Sequence, residues 1–128
     1  MDSLRVLLVD DFAAWRKYVR SVLQERENFD VVGEAADGEE AIEKATELQP
    51  DLILMDVAMP KMNGIEAAKR IRDSAPNSKI LFLSVETSDE LAETALAAGG
   101  QGYIGKSEVR AKLLPTIDNL FGTEECQL

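Results

Sequence analysis

Two hydrophobic rhythms alternate along the chain. Short apolar runs at 5–9, 29–35, 52–55, 79–83 and 102–104 have the length and aliphatic content of buried strands. Between them, apolar residues return every three or four positions. Trp15, Val19, Val22 and Leu23 form one such set, Ala41, Ala45 and Leu48 a second, and Ile65, Ala68 and Ile71 a third. Leu91, Ala95 and Ala98, then Val109, Leu113, Ile117 and Leu120, complete the series. That spacing puts each set on one face of a helix. Punctuation agrees with the rhythm: Asp37-Gly38 precedes the second helix and Gln49-Pro50 ends it. Ala75-Pro76-Asn77 ends the third helix and Gly99-Gly100 the fourth. Five strands alternating with five helices predict an α/β fold, a parallel sheet covered by helices on both faces. The first, third and fourth strands are almost wholly apolar and belong at its centre. The second contains Asp30, Gly33 and Glu34, which suits an edge.

Composition narrows the chemistry. A chain of 128 residues, 45% hydrophobic and 30% charged, fits one soluble domain. Its polar end, 123–128, reads as a disordered tail behind a domain spanning 1–122. Fourteen basic and 24 acidic residues leave a net charge of −10. Such a surface repels nucleic acid phosphates and favours cations. With no histidine, a Ser-His-Asp triad, a His-ligated zinc and a phosphohistidine on this chain are excluded. A single cysteine, Cys126, cannot form an internal disulfide. No apolar run is long enough to span a membrane, and the first residues lack the pattern of a signal peptide. A cytoplasmic location follows by elimination.

In parallel sheets of this kind, ligands bind outside the carboxyl ends of the strands. The first strand ends in Asp10-Asp11, the third in Asp56 and the fourth in Ser84, while the fifth leads into Lys106. Each has an ordinary reading alone: a helix cap for Asp10, Asp11 or Ser84, a turn acceptor for Asp56, a solvated cation for Lys106. Together they form a chemically complementary set on one rim. Three carboxylates repel one another, and a hard divalent cation such as Mg²⁺ relieves that repulsion with oxygen ligands. Beside such a metal, Asp56 can attack a phosphoryl group to form an acyl phosphate. Lys106 and the Ser84 hydroxyl can hold phosphoryl oxygens.

With those residues in view, the sequence resembles the response-regulator receiver domains of two-component signalling, over positions 4 to about 121. The matching pieces are Leu7-Leu8-Val9-Asp10-Asp11, the run from Asp51 to Pro60, Asn63-Gly64, Leu83-Ser84 and Gly102-Tyr103-Ile104-Gly105-Lys106. The resemblance implies a flavodoxin-like (βα)5 three-layer sandwich with strand order 2-1-3-4-5. It implies that Asp56 accepts a phosphoryl group from a sensor histidine kinase. Asp11, Asp56 and the Ala58 carbonyl would bind Mg²⁺, with Asp10 acting mostly through water. Lys106 would contact the phosphoryl group, and Ser84 and Tyr103 would form the switch pair. The stretches around Tyr103 and Asp37 are most similar to receivers that precede a LuxR-type helix-turn-helix, so a transcriptional output is implied. The domain would catalyse its own phosphorylation and slow dephosphorylation without turning over a separate substrate.

Three positions depart from the common pattern. Ser107 follows the lysine where relatives often carry a proline with a cis bond, and a cis bond before serine costs roughly 3 kcal/mol against under about 1 for proline. Val85 follows Ser84 where a small residue is usual, and Ala58 replaces a residue that is often polar. The last two predict a long-lived phosphorylated state. On the fifth helix, Leu114 and Phe121 widen the apolar face. This is either a homodimer contact, through helix 4, strand 5 and helix 5 or through helices 1 and 5, or a broad core-facing stripe. Trp15 reads as core. A phosphatase of the haloacid dehalogenase type needs a second acid where Ala58 stands, and a nucleotide or flavin site needs glycines that the Val9-Asp10-Asp11-Phe12 turn lacks.

Overall fold

The computed structural model describes residues 3–86 and 88–122. In chain order the elements are β1 (Leu4–Val9), α1 (Ala13–Leu23), β2 (Phe29–Ala35), α2 (Gly38–Leu48) and β3 (Leu52–Asp56). They continue with α3 (Gly64–Ser74), β4 (Lys79–Ser84), α4 (Asp89–Ala97), β5 (Gly102–Gly105) and α5 (Val109–Phe121). All strand pairs are parallel and the order is β2-β1-β3-β4-β5. The expected edge position of the second strand and the central positions of the first, third and fourth are both found.

Strand alternation divides the core in two. Leu7, Val9, Ile53, Met55, Ile80 and Phe82 point toward α2, α3 and α4. Val6, Leu8, Leu52, Leu54, Leu81 and Leu83 point toward α1 and α5. Burial on both faces explains why the three central strands are continuous apolar runs. Leu114, Leu120 and Phe121 pack against the α1–α5 side, which supports the broad core-facing stripe on α5. Trp15 is only partly buried, at the margin of that core, because α1 carries it out toward the sheet rim.

Helix starts follow local chemistry. Asp37, Asn63 and Ser88 cap α2, α3 and α4 by accepting from the amides of Glu40, Glu66 and Leu91. Ser84 therefore caps nothing, and neither do Asp10 and Asp11. The N-cap of α1 is Phe12, which makes no side-chain capping bond. A 3₁₀ turn, Lys106–Glu108, precedes α5, and no peptide bond among the described residues is cis, so the Lys106–Ser107 bond is trans. Gly122 closes α5 in the left-handed conformation with φ 65°. The expected tail, 123–128, lies outside the described residues.

The most confined backbone lies beside the rim. The Gly64 amide donates to the Val57 carbonyl at 2.8 Å, and a Cβ on Gly64 would stand 2.0 Å from the Asp56 carbonyl oxygen. Only glycine lets α3 start this close to the end of β3. Gly64→Ala is expected to cost about 3 kcal/mol by overpacking, read as a lower urea midpoint at an unchanged slope; a cost under about 0.5 kcal/mol would contradict this packing.

Candidate functional site

The parallel arrangement carries β1, β3, β4 and β5 to a common rim, and the polar residues fall at their ends. Asp56 and Ser84 are the last residues of β3 and β4, and Asp10 directly follows β1. Asp10, Asp56 and Ser84 are the buried polar side chains at this rim, 3%, 5% and 4% exposed. Asp11 is exposed. One carboxylate oxygen from each of Asp10, Asp11 and Asp56 lies within 4.8 Å of the others. Lys106 reaches in from the end of β5, its ammonium 2.6 Å from Asp10 Oδ2 and 3.4 Å from Asp56 Oδ1. These residues, with Phe12, Ala58, Val85 and Glu86, line a cleft of about 390 Å³, within the size range of small-molecule sites.

Partners fix each group. Asp10 Oδ1 accepts from the Phe12 amide at 2.9 Å while its other oxygen holds Lys106, so both oxygens are engaged. Ser84 Oγ accepts from the Glu86 amide at 3.1 Å. Tyr103, half-buried on β5, donates its hydroxyl hydrogen to the Glu86 carbonyl. Ser84 and Tyr103 are thus tied to the two sides of one residue in the loop after β4. Sequence reasoning missed Glu86, because it acts through its backbone. It also missed the site role of Trp15, whose ring centre lies 5.0 Å from the Lys106 ammonium. Val85 stands at the mouth of the cleft but remains 82% exposed.

The donor set is all oxygen, anionic and open on the Asp11 side, which fits a hard divalent cation such as Mg²⁺. Electrostatics agree. Burial, then the Asp10 carboxylate, push Asp56 up to about 6, and the Asp11 charge adds to this while Lys106 opposes it. The folded protein therefore binds more protons than the unfolded chain between the ordinary carboxylate range and pH 6. Its metal-free fold loses stability as pH rises through that window. Asp56→Asn removes the conflict. In EDTA at pH 7.5 the variant is expected to exceed the parent in stability, by up to about 3 kcal/mol. The gain should fade as pH is lowered from 6 toward 4. Equal stability at pH 7.5, measured by urea unfolding, would contradict the electrostatic reading.

Comparison with known proteins places the geometry in context. The response regulator receiver domain family matches residues 6–118. The transcriptional regulatory protein LnrK of Bacillus subtilis is 42% identical over 103 residues, which cover 80% of this chain and 47% of that protein. The chain thus spans about half the length of such curated regulators. The chemotaxis protein CheY of Thermotoga maritima is 41% identical over 116 residues, 91% of this chain and 96% of that protein. Among solved structures, a LuxR-family two-component response regulator from Aurantimonas sp. SI85-9A1 superposes with a TM-score of 0.90 at 34% identity, covering 95% of this chain and 87% of the other. Matched in fold by one group and in sequence by all three, this chain belongs to the response regulator receiver domain family and is a phosphorylation-dependent signalling switch.

Proposed function

We propose that Asp56 is the phosphoacceptor and that Asp10, Asp11, Ser84 and Lys106 carry the transfer. A carboxylate oxygen of Asp56 attacks phosphorus. The bond from phosphorus to the donor's leaving atom breaks, its electron pair leaves with the donor, and an acyl phosphate remains. The convergence of three carboxylates and one ammonium at the rim carries this reading. Lys106 neutralises one phosphoryl oxygen and the Ser84 hydroxyl donates to another. Asp11, Asp56 and the Ala58 carbonyl would hold Mg²⁺, and Asp10, whose oxygens already have partners, would act through water. When bound, the metal supplies charge neutralisation at the phosphoryl oxygens.

The new charge adds up to about one negative unit and strong acceptors at Asp56. Drawing Ser84 toward it releases the Glu86 amide, and Glu86 in turn holds Tyr103. This chain of contacts supports Ser84 and Tyr103 as the switch pair, with α4, β5 and α5 as the surface that changes. A homodimer contact through α4, β5 and α5, or through α1 and α5, belongs to the same proposal.

The donor is a sensor histidine kinase, consistent with a chain that has no histidine of its own. The domain comprises residues 1–122 and works in the cytoplasm. Its regulator relatives support a DNA-binding output outside this domain, whose charge of −10 disfavours direct contact with DNA. Ala58, where a phosphatase needs a second acid, supports self-phosphorylation without turnover of a separate substrate.

The test is incubation with Mg²⁺ and acetyl phosphate, followed by intact-mass measurement. The parent is expected to gain one phosphoryl group and to keep it far longer than minutes, since Ala58 brings no polar group to orient water. Asp56→Asn should gain none. Equal uptake by the variant would overturn the assignment, and a half-life of seconds would overturn the long-lived state.

A further inference from the structure

Strand β2 contains an irregularity that re-aims one side chain. Val6 pairs with Val31, but Leu7 pairs with Gly33, so Val32 is an extra residue in the ladder. Strict alternation from Val31 would turn Glu34 away from α1. After the bulge, Glu34 pairs with Leu8, a residue of the α1–α5 face, and so points at α1.

There its carboxylate meets two arginines. Arg16 Nε donates to Glu34 Oε1 at 2.7 Å, and Arg20 Nη2 donates to Glu34 Oε2. Lys44 also fixes the backbone here, donating to the Glu34 carbonyl at 2.6 Å. Arg20 first, then Arg16, hold the Glu34 carboxyl below the usual range. Arg16 has a second arm: its Nη1 donates to the carbonyl of Asp10. That carbonyl begins the turn that carries Asp10 and Asp11 into the cleft. The turn needs an anchor, because Phe12 gives α1 no side-chain cap. Arg16 is well placed to supply one, only 18% exposed and clamped at both ends of its planar fork.

We propose that Arg16 is a positioning residue for the metal site. Glu34, aimed by the bulge, locks the guanidinium, and the guanidinium sets the Asp10–Asp11 backbone in the geometry that receives Mg²⁺. Neither residue belongs to the cluster of carboxylates that would hold the metal. This inference rests on the magnesium site proposed above. Charge alone opposes it, since removing a cation near three carboxylates should tighten Mg²⁺ binding. A loss of affinity therefore separates positioning from simple electrostatics.

The experiment is calorimetric titration of the parent, Arg16→Gln, Arg16→Lys and Arg20→Gln with Mg²⁺ at pH 7.5, alongside thermal melts. Arg16→Gln is expected to weaken Mg²⁺ about tenfold, the effect of losing a support to a metal ligand. Arg16→Lys keeps charge and stem but lacks the fork, so it too should bind several-fold more weakly and decides the case if the glutamine variant does not fold. Arg20→Gln, which breaks only the other contact to Glu34, should lower the melting temperature yet keep the Kd within twofold. Position 16 variants that melt earlier but bind Mg²⁺ as the parent does would overturn the inference. A parent that bound no Mg²⁺ would overturn the site itself.

Discussion

Like charges held together at the end of a buried sheet are the constraint on which this molecule turns. Asp10 and Asp56 are nearly inaccessible, yet each faces the other and Asp11. A fold that keeps three carboxylates within 4.8 Å needs positive charge there, and Lys106 supplies one ammonium for the three. Burial first, then the neighbouring carboxylates, leave Asp56 reluctant to ionise. The imbalance also makes the site receptive to added positive charge and sensitive to added negative charge. Cation binding and response to phosphorylation are thus two consequences of one electrostatic conflict.

The rest of the fold holds that conflict in place. Continuous apolar strands put β1, β3 and β4 in the middle of the sheet, where neither face can shift without opening a core. Gly64 lets α3 begin against the Asp56 carbonyl. On the opposite side, Arg16 and Glu34 tie α1 to the edge strand and to the Asp10 backbone. Around Glu86, by contrast, Ser84 and Tyr103 are joined through single hydrogen bonds. A closely packed floor beside a rim joined by single hydrogen bonds suits a switch between two conformations.

Much of this was legible in the sequence, and the gaps have physical causes. The central and edge places of the strands and the shared rim follow from apolar runs and from the polar residue that ends each one, because a parallel sheet must put those ends together, while the full strand order comes from the family resemblance. Ser88 rather than Ser84 caps α4, and the N-cap position of α1 falls to Phe12, which supplies no side-chain cap, since residues at strand ends lie too early to cap. The spacing of Trp15 with Val19 and Val22 predicts a core position. Spacing fixes the face of a helix, not how far along the axis the core extends, and Trp15 sits where it ends, against Lys106. The bulge at Val32 was invisible to alternation, so Glu34 looked like an ordinary edge acid. Glu86 escaped notice because its backbone, not its side chain, makes the contacts.

The central claim, that Asp11 and Asp56 hold one hard cation beside Asp10, is tested most directly by substituting Mn²⁺ for Mg²⁺. Both prefer octahedral oxygen sites, and Mn²⁺ scatters anomalously. Crystals soaked in Mn²⁺ should show one strong anomalous peak, bounded by these three carboxylates, that is absent from Asp56→Asn. A dominant peak elsewhere on the acidic surface, or none at the rim, would contradict the account.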